Sequence, residues 1–531
     1  MVRPKLIRAT AVVALGTLLS ACGATEEVKQ AVAARHAAEA AAGGHGAAAA
    51  ALAPAAGLPA PADAPATAPR ADTGATAATP AAGAPTGPRT AAAPRKATAA
   101  AAAGGAPAAT AAVAACGANG AAVPAAGNGG GTATGVTATT IKIGGTFFNG
   151  GFLDKYGQVA ENAPRAYFNY INDAGGICGR KISYVTCDTA GTADGTSGCL
   201  SRMADQDKVF IMGPSLDFNL DIVPATLARL KLPWVGSSGL YSEEFASPWM
   251  FPTQPPGDSV GQLITRYATT KLGSKKIGIS LLNDVAGPRC TKEAQAAAAA
   301  AGAQVVSTAA NGTIETSLDS QVANLRNAGA DTVVFCNDPV NTVKFVQAAQ
   351  RVGWKPTFVG GFVAADDVPK ASGANAKGMY GYSQWDFYNS DLPGVKRYRQ
   401  ITEYYFPQTF HHFYEQAAYV GAEAIVAALR AAGPNLTRDS FLTALRAMHA
   451  FDTGLGITLN FANLRGTPPS GIMLQADDSL AWKVVSGRFT DKGAITAAGT
   501  TPAAAAAATA PALATTAQWQ RRQYGRRGEQ T

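Results

Sequence analysis

The chain has 531 residues and a formal net charge of +8, and charged side chains make up only 15% of it. Most of the positive charge lies near the two ends of the chain, and about +1 falls within 140–496. A near-neutral region of this size offers no surface for tracking phosphates, so the charge distribution excludes nucleic acid as a partner.

Residues 1–21 have the organisation of a signal peptide. Basic residues precede an apolar run over 9–19, which is too short to span a bilayer permanently. The small residues Ser20 and Ala21 then precede Cys22, and this pattern resembles the lipobox of bacterial lipoproteins. The resemblance predicts cleavage before Cys22, a lipid anchor on that cysteine, and a location on the extracytoplasmic face of the cell membrane.

Composition divides the rest of the chain into one candidate core and two flexible segments. Residues 22–139 and 497–531 consist largely of Ala, Pro, Gly and Thr, which bury too little apolar surface to offset the entropy of ordering. We therefore predict a disordered linker over 22–139, a folded domain over 140–496 and a disordered tail over 497–531.

Six cysteines remain when Cys22 is set aside from the seven in the chain. An even number outside the cytoplasm favours disulfides over metal ligands or catalytic thiols. The predicted pairs are Cys187–Cys199, Cys290–Cys336 and, by elimination, Cys116–Cys178.

Short apolar runs alternate with segments of helical periodicity within 140–496. Strands are predicted at 141–145, 182–186, 209–213, 233–236, 277–282, 305–306, 332–335 and 357–360. A long helix over 413–431 and a helix capped by Thr437 follow. Two successive runs of β-α units indicate an α/β fold of two doubly wound parallel-sheet lobes, which bind ligands at the carboxyl ends of their strands.

Several motifs occur in a fixed order along this region. They include Ile141-Lys-Ile-Gly-Gly145, Phe210-Ile-Met-Gly-Pro-Ser215, Leu232-Pro-Trp-Val-Gly236 and Tyr414-Glu-Gln-Ala-Ala-Tyr419. Together they resemble the type I periplasmic solute-binding proteins, most closely the leucine/isoleucine/valine-binding branch that serves ABC importers. The resemblance implies a monomer that traps a small-molecule ligand by hinge closure and docks on an ABC permease. It implies no cofactor and no catalytic residue.

The resemblance also implies how the chain divides between the lobes. Lobe 1 would comprise about 140–256 and 384–452, and lobe 2 about 257–383 and 453–492. The three crossings of the hinge would lie near 253–258, 381–386 and 452–456.

Ligand-binding positions follow from the same resemblance. In amino-acid binders of this family, hydroxyls and amides after the third and fourth strands of lobe 1 hold the ligand carboxylate. The matching residues here are Ser215, Ser237, Ser238 and Gly239. Backbone N–H groups near the starts of helices bind anions favourably. Roles in turns and in helix capping are the alternative explanation for these serines. Phe148 would stack on the ligand or pack in the core, and Tyr156 would roof the cleft.

Lobe 2 departs from the pattern of amino-acid binders. Asp284 lies in a loop where a tyrosine is expected, Asp338 replaces a second tyrosine, and Phe362 replaces the acid that pairs with the ligand ammonium. A buried ammonium without a carboxylate is costly. Either Asp284, Asp338 or Asp366 substitutes for that acid, or the ligand is not a free α-amino acid. We favour a modified ligand such as an amide, a urea-like compound, an aromatic acid or a small peptide derivative.

Other patterns argue against an enzyme or a metal site. The glycines do not have the spacing of a dinucleotide or phosphate loop, and no nucleophile elbow is present. His411 and His412 are adjacent and face different directions, so we expect a surface or helix-start role instead of metal binding. The alternative function is an envelope sensor or scaffold lipoprotein, which the long linker and basic tail mildly favour.

Overall fold

The computed structural model describes residues 128–151, 153–254, 256–407, 410–466 and 468–498. The predicted signal peptide, Cys22 and the linker up to residue 127 lie outside the described residues, as does the tail beyond residue 498. Within the described part of the chain, no helix is long and apolar enough to cross a membrane.

The strands form two main sheets. In chain order they are β1 (Thr140–Phe147), β2 (Lys181–Asp188), β3 (Ile211–Met212), β4 (Trp234–Val235), β5 (Met250–Phe251), β6 (Lys276–Leu282), β7 (Gln304–Asn311), β8 (Thr332–Cys336), β9 (Thr357–Gly360), β10 (Tyr380–Ser383), β11 (Phe451–Asp452), β12 (Thr458–Leu459), β13 (Ser470–Ala476), β14 (Trp482–Val484) and β15 (Phe489–Thr490). The strands predicted from apolar runs all appear among them.

Helices cover both sheets. They are α1 (Asp154–Asp173), α2 (Ala193–Asp205), α3 (Pro224–Leu230), α4 (Ser242–Ala246), α5 (Val260–Lys271), α6 (Ala286–Ala300), α7 (Asp319–Asn327), α8 (Pro339–Arg351), α9 (Val368–Ser372), α10 (Pro393–Tyr405), α11 (Phe413–Ala432) and α12 (Arg438–Arg446). Short 3-10 turns lie at Leu220–Ile222, Gly257–Ser259, Ala374–Ala376 and Leu464–Gly466. The predicted long helix is confirmed as α11, and Thr437 caps α12 by accepting a hydrogen bond from the Ser440 amide at 3.0 Å.

The two sheets share one strand order. The first runs β2-β1-β3-β4-β5 with every pair parallel, and the second contains β7-β6-β8-β9-β10, also parallel. The second sheet then continues through β13, which pairs antiparallel with β10, β14 and β15. The predicted parallel-sheet lobe is confirmed, and β13 adds an antiparallel edge to it, because β13 follows a return from the other lobe and not a helical crossover.

The segment that follows β10 returns to the first lobe. Helices α10 and α11 pack on α1, and α11 also contacts β4 and α12. The first lobe therefore combines two separate stretches of the chain, with the second sheet inserted between them.

The connecting segments lie side by side. The Gln384 side chain donates to that of Gln254, and the Asp386 amide donates to the Leu455 carbonyl at 2.9 Å. Gly456 has a φ of +87°, and a Cβ at this position would collide with the Asp386 carboxylate. These contacts join the three connecting segments into one hinge region between the lobes.

Residues 128–139 contradict the predicted linker boundary. Arg180 is 1% exposed, and its guanidinium donates to the backbone carbonyls of Asn128, Gly130 and Thr137. The Arg180 guanidinium contacts only carbonyl groups, which every residue type carries, so the Gly-rich composition gave no sign of this contact. Val136 also packs in the core, and the Thr132 hydroxyl donates to the Leu436 carbonyl at 2.5 Å. The folded region begins at least twelve residues before the predicted start at 140.

Two predicted disulfides are confirmed. Cys187 joins Cys199 with a Cα–Cα distance of 5.7 Å, and Cys290 joins Cys336 at 5.6 Å. Cys178 is also disulfide-bonded, and its predicted partner Cys116 lies outside the described residues. The confirmed bonds tie α2 to the end of β2 and α6 to the end of β8.

Replacing Arg180 tests how residues 128–139 are held against the first lobe. Arg180→Ala leaves backbone carbonyls without their donor, and we expect the free energy of unfolding to fall by about 3 kcal/mol. Limited proteolysis should also cut within 128–139 faster than in the unchanged protein. Arg202→Ala is the control, because Arg202 pairs with Asp207 at the surface and should contribute less than about 1 kcal/mol. Equal rates of cleavage within 128–139 in the two variants would contradict the conclusion that Arg180 holds this segment against the first lobe.

Candidate functional site

A cavity lies where the carboxyl ends of strands from both sheets meet. Its walls include Phe218, Leu240, Asp284, Asp338, Phe362 and Tyr414. The cavity adjoins the reversal of strand order in lobe 2, between β6 and β8, where α/β sheets bind ligands. Its volume of about 30 Å³ accommodates on the order of two water molecules.

Two predicted acids line this cavity and cap helices at the same time. Asp284 accepts a hydrogen bond from the Gly287 amide at 2.8 Å, at the start of α6. Asp338 accepts from the Asn341 amide at 2.9 Å, at the start of α8. Burial raises the pKa of both carboxyl groups above the usual range for aspartate. Each acid therefore occupies a fixed position on the wall contributed by the second lobe.

The apolar walls are aromatic on both sides. Phe218 stacks on Phe148 with ring centroids 4.5 Å apart, and the Tyr241 hydroxyl donates to the Phe218 carbonyl. Phe362 lies on the opposite wall, 6.3 Å from the ring of Phe413. Phe148 thus supports the wall from behind, which agrees with the core-packing alternative. Phe218 was missed, although its place in the loop that follows β3 could have indicated it.

Tyr414 is a polar group of the cavity that the sequence motif did not single out. It is the second residue of α11, is 6% exposed, and has no hydrogen-bond partner for its hydroxyl among the described residues. Burial and the negative charges of Asp338 and Asp284 raise the pKa of Tyr414. The cavity is therefore lined by an un-ionised hydroxyl and two carboxyl groups.

Two of the serines predicted to hold a ligand carboxylate are bonded within the protein. The Ser215 hydroxyl accepts a hydrogen bond from the Trp234 indole at 3.1 Å. The Ser238 hydroxyl donates to the Asp217 carbonyl at 2.8 Å and accepts from the Asp217 amide at 2.9 Å. Neither serine lines the cavity, and both stabilise the loops that follow β3 and β4.

The amides of the same loop bind a carboxylate of the protein. Glu244 is fully buried and accepts hydrogen bonds from the Gly239 amide at 2.9 Å and the Tyr241 amide at 3.1 Å. The Ser237 hydroxyl lies beside this carboxylate, although it forms no hydrogen bond of good geometry. Burial raises the pKa of Glu244 to about 7 despite these donors. The three-residue spacing from Tyr241 to Glu244, typical of a capping box, could have revealed the contact.

Two ion pairs join the lobes beside the cleft. Lys155 pairs with Asp367, which also accepts a hydrogen bond from the Tyr156 hydroxyl at 3.3 Å. Arg289 forms a bidentate pair with Glu243, at 2.6 and 2.8 Å. Tyr156 thus belongs to a contact between the lobes and does not line the cavity.

The two histidines lie at the start of α11. His412 is 1% exposed and caps the helix, accepting from the Glu415 amide at 3.4 Å, whereas His411 contacts the Glu415 carboxylate at 3.0 Å. The predicted helix-start role is confirmed, and the surface role is wrong. Asp366 accepts from the His411 amide at 3.1 Å and does not line the cavity. Within the described residues, no His, Cys, Asp and Glu cluster is placed to hold a metal.

The raised pKa of Glu244 predicts a specific dependence of stability on pH. A carboxyl group with a higher pKa in the folded state binds its proton more tightly there, so its contribution is favourable below pH 4.5 and is lost as pH rises toward 7. Between pH 4.5 and 8, the free energy of unfolding should fall by up to roughly 3 kcal/mol more in the unchanged protein than in Glu244→Gln.

The neighbouring acid provides the control. The guanidinium of Arg289 lowers the pKa of Glu243 to about 2, so Glu243→Gln should leave the profile above pH 5 unchanged. Denaturant titrations across the pH range measure both differences. If the free energy of unfolding depends on pH in the same way in Glu244→Gln and in the unchanged protein, Glu244 does not titrate between pH 4.5 and 8.

Three comparisons with known proteins agree with this geometry. The family model described as "Periplasmic binding protein" matches residues 140–475. The "Leu/Ile/Val-binding protein homolog 8" of Brucella suis biovar 1 (strain 1330) is 25% identical over 350 residues, which cover 62% of this chain and 86% of that protein.

Solved structures share the fold at low sequence identity. A fatty acid ABC transporter substrate-binding protein from Thermomonospora curvata has a TM-score of 0.62 and 20% identity, covering 68% of this chain and 95% of that one. A branched chain amino acid ABC transporter from Thermus thermophilus with bound valine has a TM-score of 0.60 and 17% identity, covering 68% of this chain and 97% of that one.

Proposed function

Because this chain belongs to the periplasmic binding protein family, we propose that it is the solute receptor of an ABC importer and delivers a small polar ligand by hinge closure. The observation that carries the proposal is the cavity at the facing strand ends, to which both lobes contribute walls. The relatives are binding proteins of transporters and not enzymes, in agreement with the prediction of no catalytic residue.

Hinge closure accounts for the arrangement of the cleft. The pairs Lys155–Asp367 and Arg289–Glu243 bridge the lobes, but all four side chains are between 25% and 47% exposed. Exposed ion pairs contribute about 0–1 kcal/mol each. They are too weak to hold the lobes together alone, so the closed state depends on contacts that a ligand makes with both walls.

The ligand class follows from the walls. Aromatic rings from both lobes provide an apolar slot, and Asp284 and Asp338 provide acceptors at one end. Of the ligand classes expected from the sequence, which are amino-acid-like compounds, amides, urea-like compounds and aromatic acids, the acceptors favour those that carry N–H donors, and all are small enough for a cleft that closes around them.

A lipid anchor at Cys22 completes the proposal. The lipobox-like sequence before this cysteine and the extracytoplasmic location typical of the family support it. The anchor would keep the receptor near its permease, while the long segment before residue 128 would let the two lobes reach it.

A ligand screen tests the receptor function. The full chain would be heated with amino acids, amides, ureas, aromatic acids and short peptides, and unfolding followed by thermal shift. A ligand at about a hundredfold over its dissociation constant should stabilise the native state by about 2.7 kcal/mol. Absence of a shift with every compound would contradict the receptor function and favour the sensor or scaffold alternative.

Replacing Cys22 tests the lipid anchor. Cys22→Ala removes the thiol to which the lipid would be attached, so incorporation of a labelled fatty acid should be lost. The protein should also no longer fractionate with membranes as a processed lipoprotein. Cys187→Ala serves as the control, because Cys187 lies in a disulfide and should not affect labelling. Equal labelling of Cys22→Ala and the unchanged protein would rule out this anchor.

A further inference from the structure

The lining of the cavity includes one hydrogen-bond donor without a protein partner, the Tyr414 hydroxyl, and two acceptors, Asp284 and Asp338. We infer that the ligand carries a neutral amide or urea group, whose carbonyl accepts from Tyr414 and whose N–H groups donate to Asp284 and Asp338. A ligand with a free carboxylate is excluded from this position. The inference rests on the proposed receptor function and specifies its substrate class.

The charge of the cavity excludes an anion. Among the described residues that line it, the groups able to carry charge are Asp284, Asp338 and Tyr414, and none is a lysine, arginine or histidine. Two buried carboxylates repel a third strongly, because the surrounding apolar walls screen charge poorly. The nearby cations Lys155 and Arg289 are already paired with Asp367 and Glu243.

The alternative place for a ligand carboxylate is already filled. The amides of Gly239 and Tyr241 donate to Glu244, and the Ser238 hydroxyl is bonded to the Asp217 backbone. A ligand carboxylate at this loop would have to displace a buried side chain that satisfies these donors. The protein thus supplies from its own chain the anion that this loop would otherwise take from a ligand.

Tyr414 distinguishes an amide from an amine. Its hydroxyl forms no hydrogen bond with the described residues, so a ligand that covers it and excludes water must offer an acceptor to satisfy the O–H donor. An ammonium offers only donors and leaves that O–H unpaired. An amide or urea offers both a carbonyl for Tyr414 and N–H groups for Asp284 and Asp338.

The aromatic walls define the remainder of the ligand. Phe218 is held in position by Phe148 and by the Tyr241 hydroxyl, and Phe362 is 9% exposed on the other wall. An apolar body attached to the amide would lie between these two rings when the lobes close.

Isosteric ligands test the inference on the full chain by calorimetric titration. Benzamide, benzoate and benzylamine share one body, and butyramide, butyrate and butylamine share another. In each set the amide should bind at least about tenfold more tightly than both isosteres. A carboxylate or an amine that binds as tightly as the amide would overturn the inference while leaving the receptor function intact. If none of the six compounds binds while another ligand does, the inference fails and the receptor function stands.

Tyr414→Phe tests the donor directly. Its melting temperature without ligand should match that of the unchanged protein, because the hydroxyl has no partner, whereas its affinity for the amide should fall about tenfold. Tyr419→Phe is the matched control, since Tyr419 is buried on the same helix but does not line the cavity. Unchanged amide affinity in Tyr414→Phe, or an equal loss in both variants, would remove Tyr414 from the site.

Discussion

The hinge holds two parallel sheets so that the carboxyl ends of their strands face one cleft. Hydrogen bonds between Gln254 and Gln384 and between Asp386 and Leu455 join the three connecting segments. Since each strand is followed by a loop and a helix, this arrangement brings helix starts from the second lobe to the cleft. The positions of Asp284 and Asp338 follow from it, because each caps a helix that begins there.

We propose that buried carboxyl groups determine what the cleft can bind. The Glu244 carboxylate accepts hydrogen bonds from backbone amides of the loop after β4. Asp284 and Asp338 make the opposite wall acidic. The solved relatives described above are named for a fatty acid and for bound valine, both of which contain a carboxylate. The present chain shares their fold, and its cavity is lined by Asp284 and Asp338.

The fold was largely predictable because its signals are local. Buried parallel strands appear as short apolar runs such as Ile277–Leu282, and the length of α11 follows from its periodicity. Cavity residues were predictable where they directly follow a strand of the second sheet, as Asp284, Asp338 and Phe362 do. Tyr414 and the Arg180 contact were not, since each depends on a neighbour distant in the chain or on backbone groups that carry no sequence signature.

If the lobes close on a solute, the distance between them must shorten when the solute binds, and measuring this distance is the most direct test. Fluorescent probes at exposed Asp194 on α2 and Asn327 on α7 would report this distance by single-molecule energy transfer. We predict a longer, variable distance in the free protein and one shorter distance with saturating benzamide or butyramide, whichever binds. One fixed distance with and without the bound amide would contradict hinge closure.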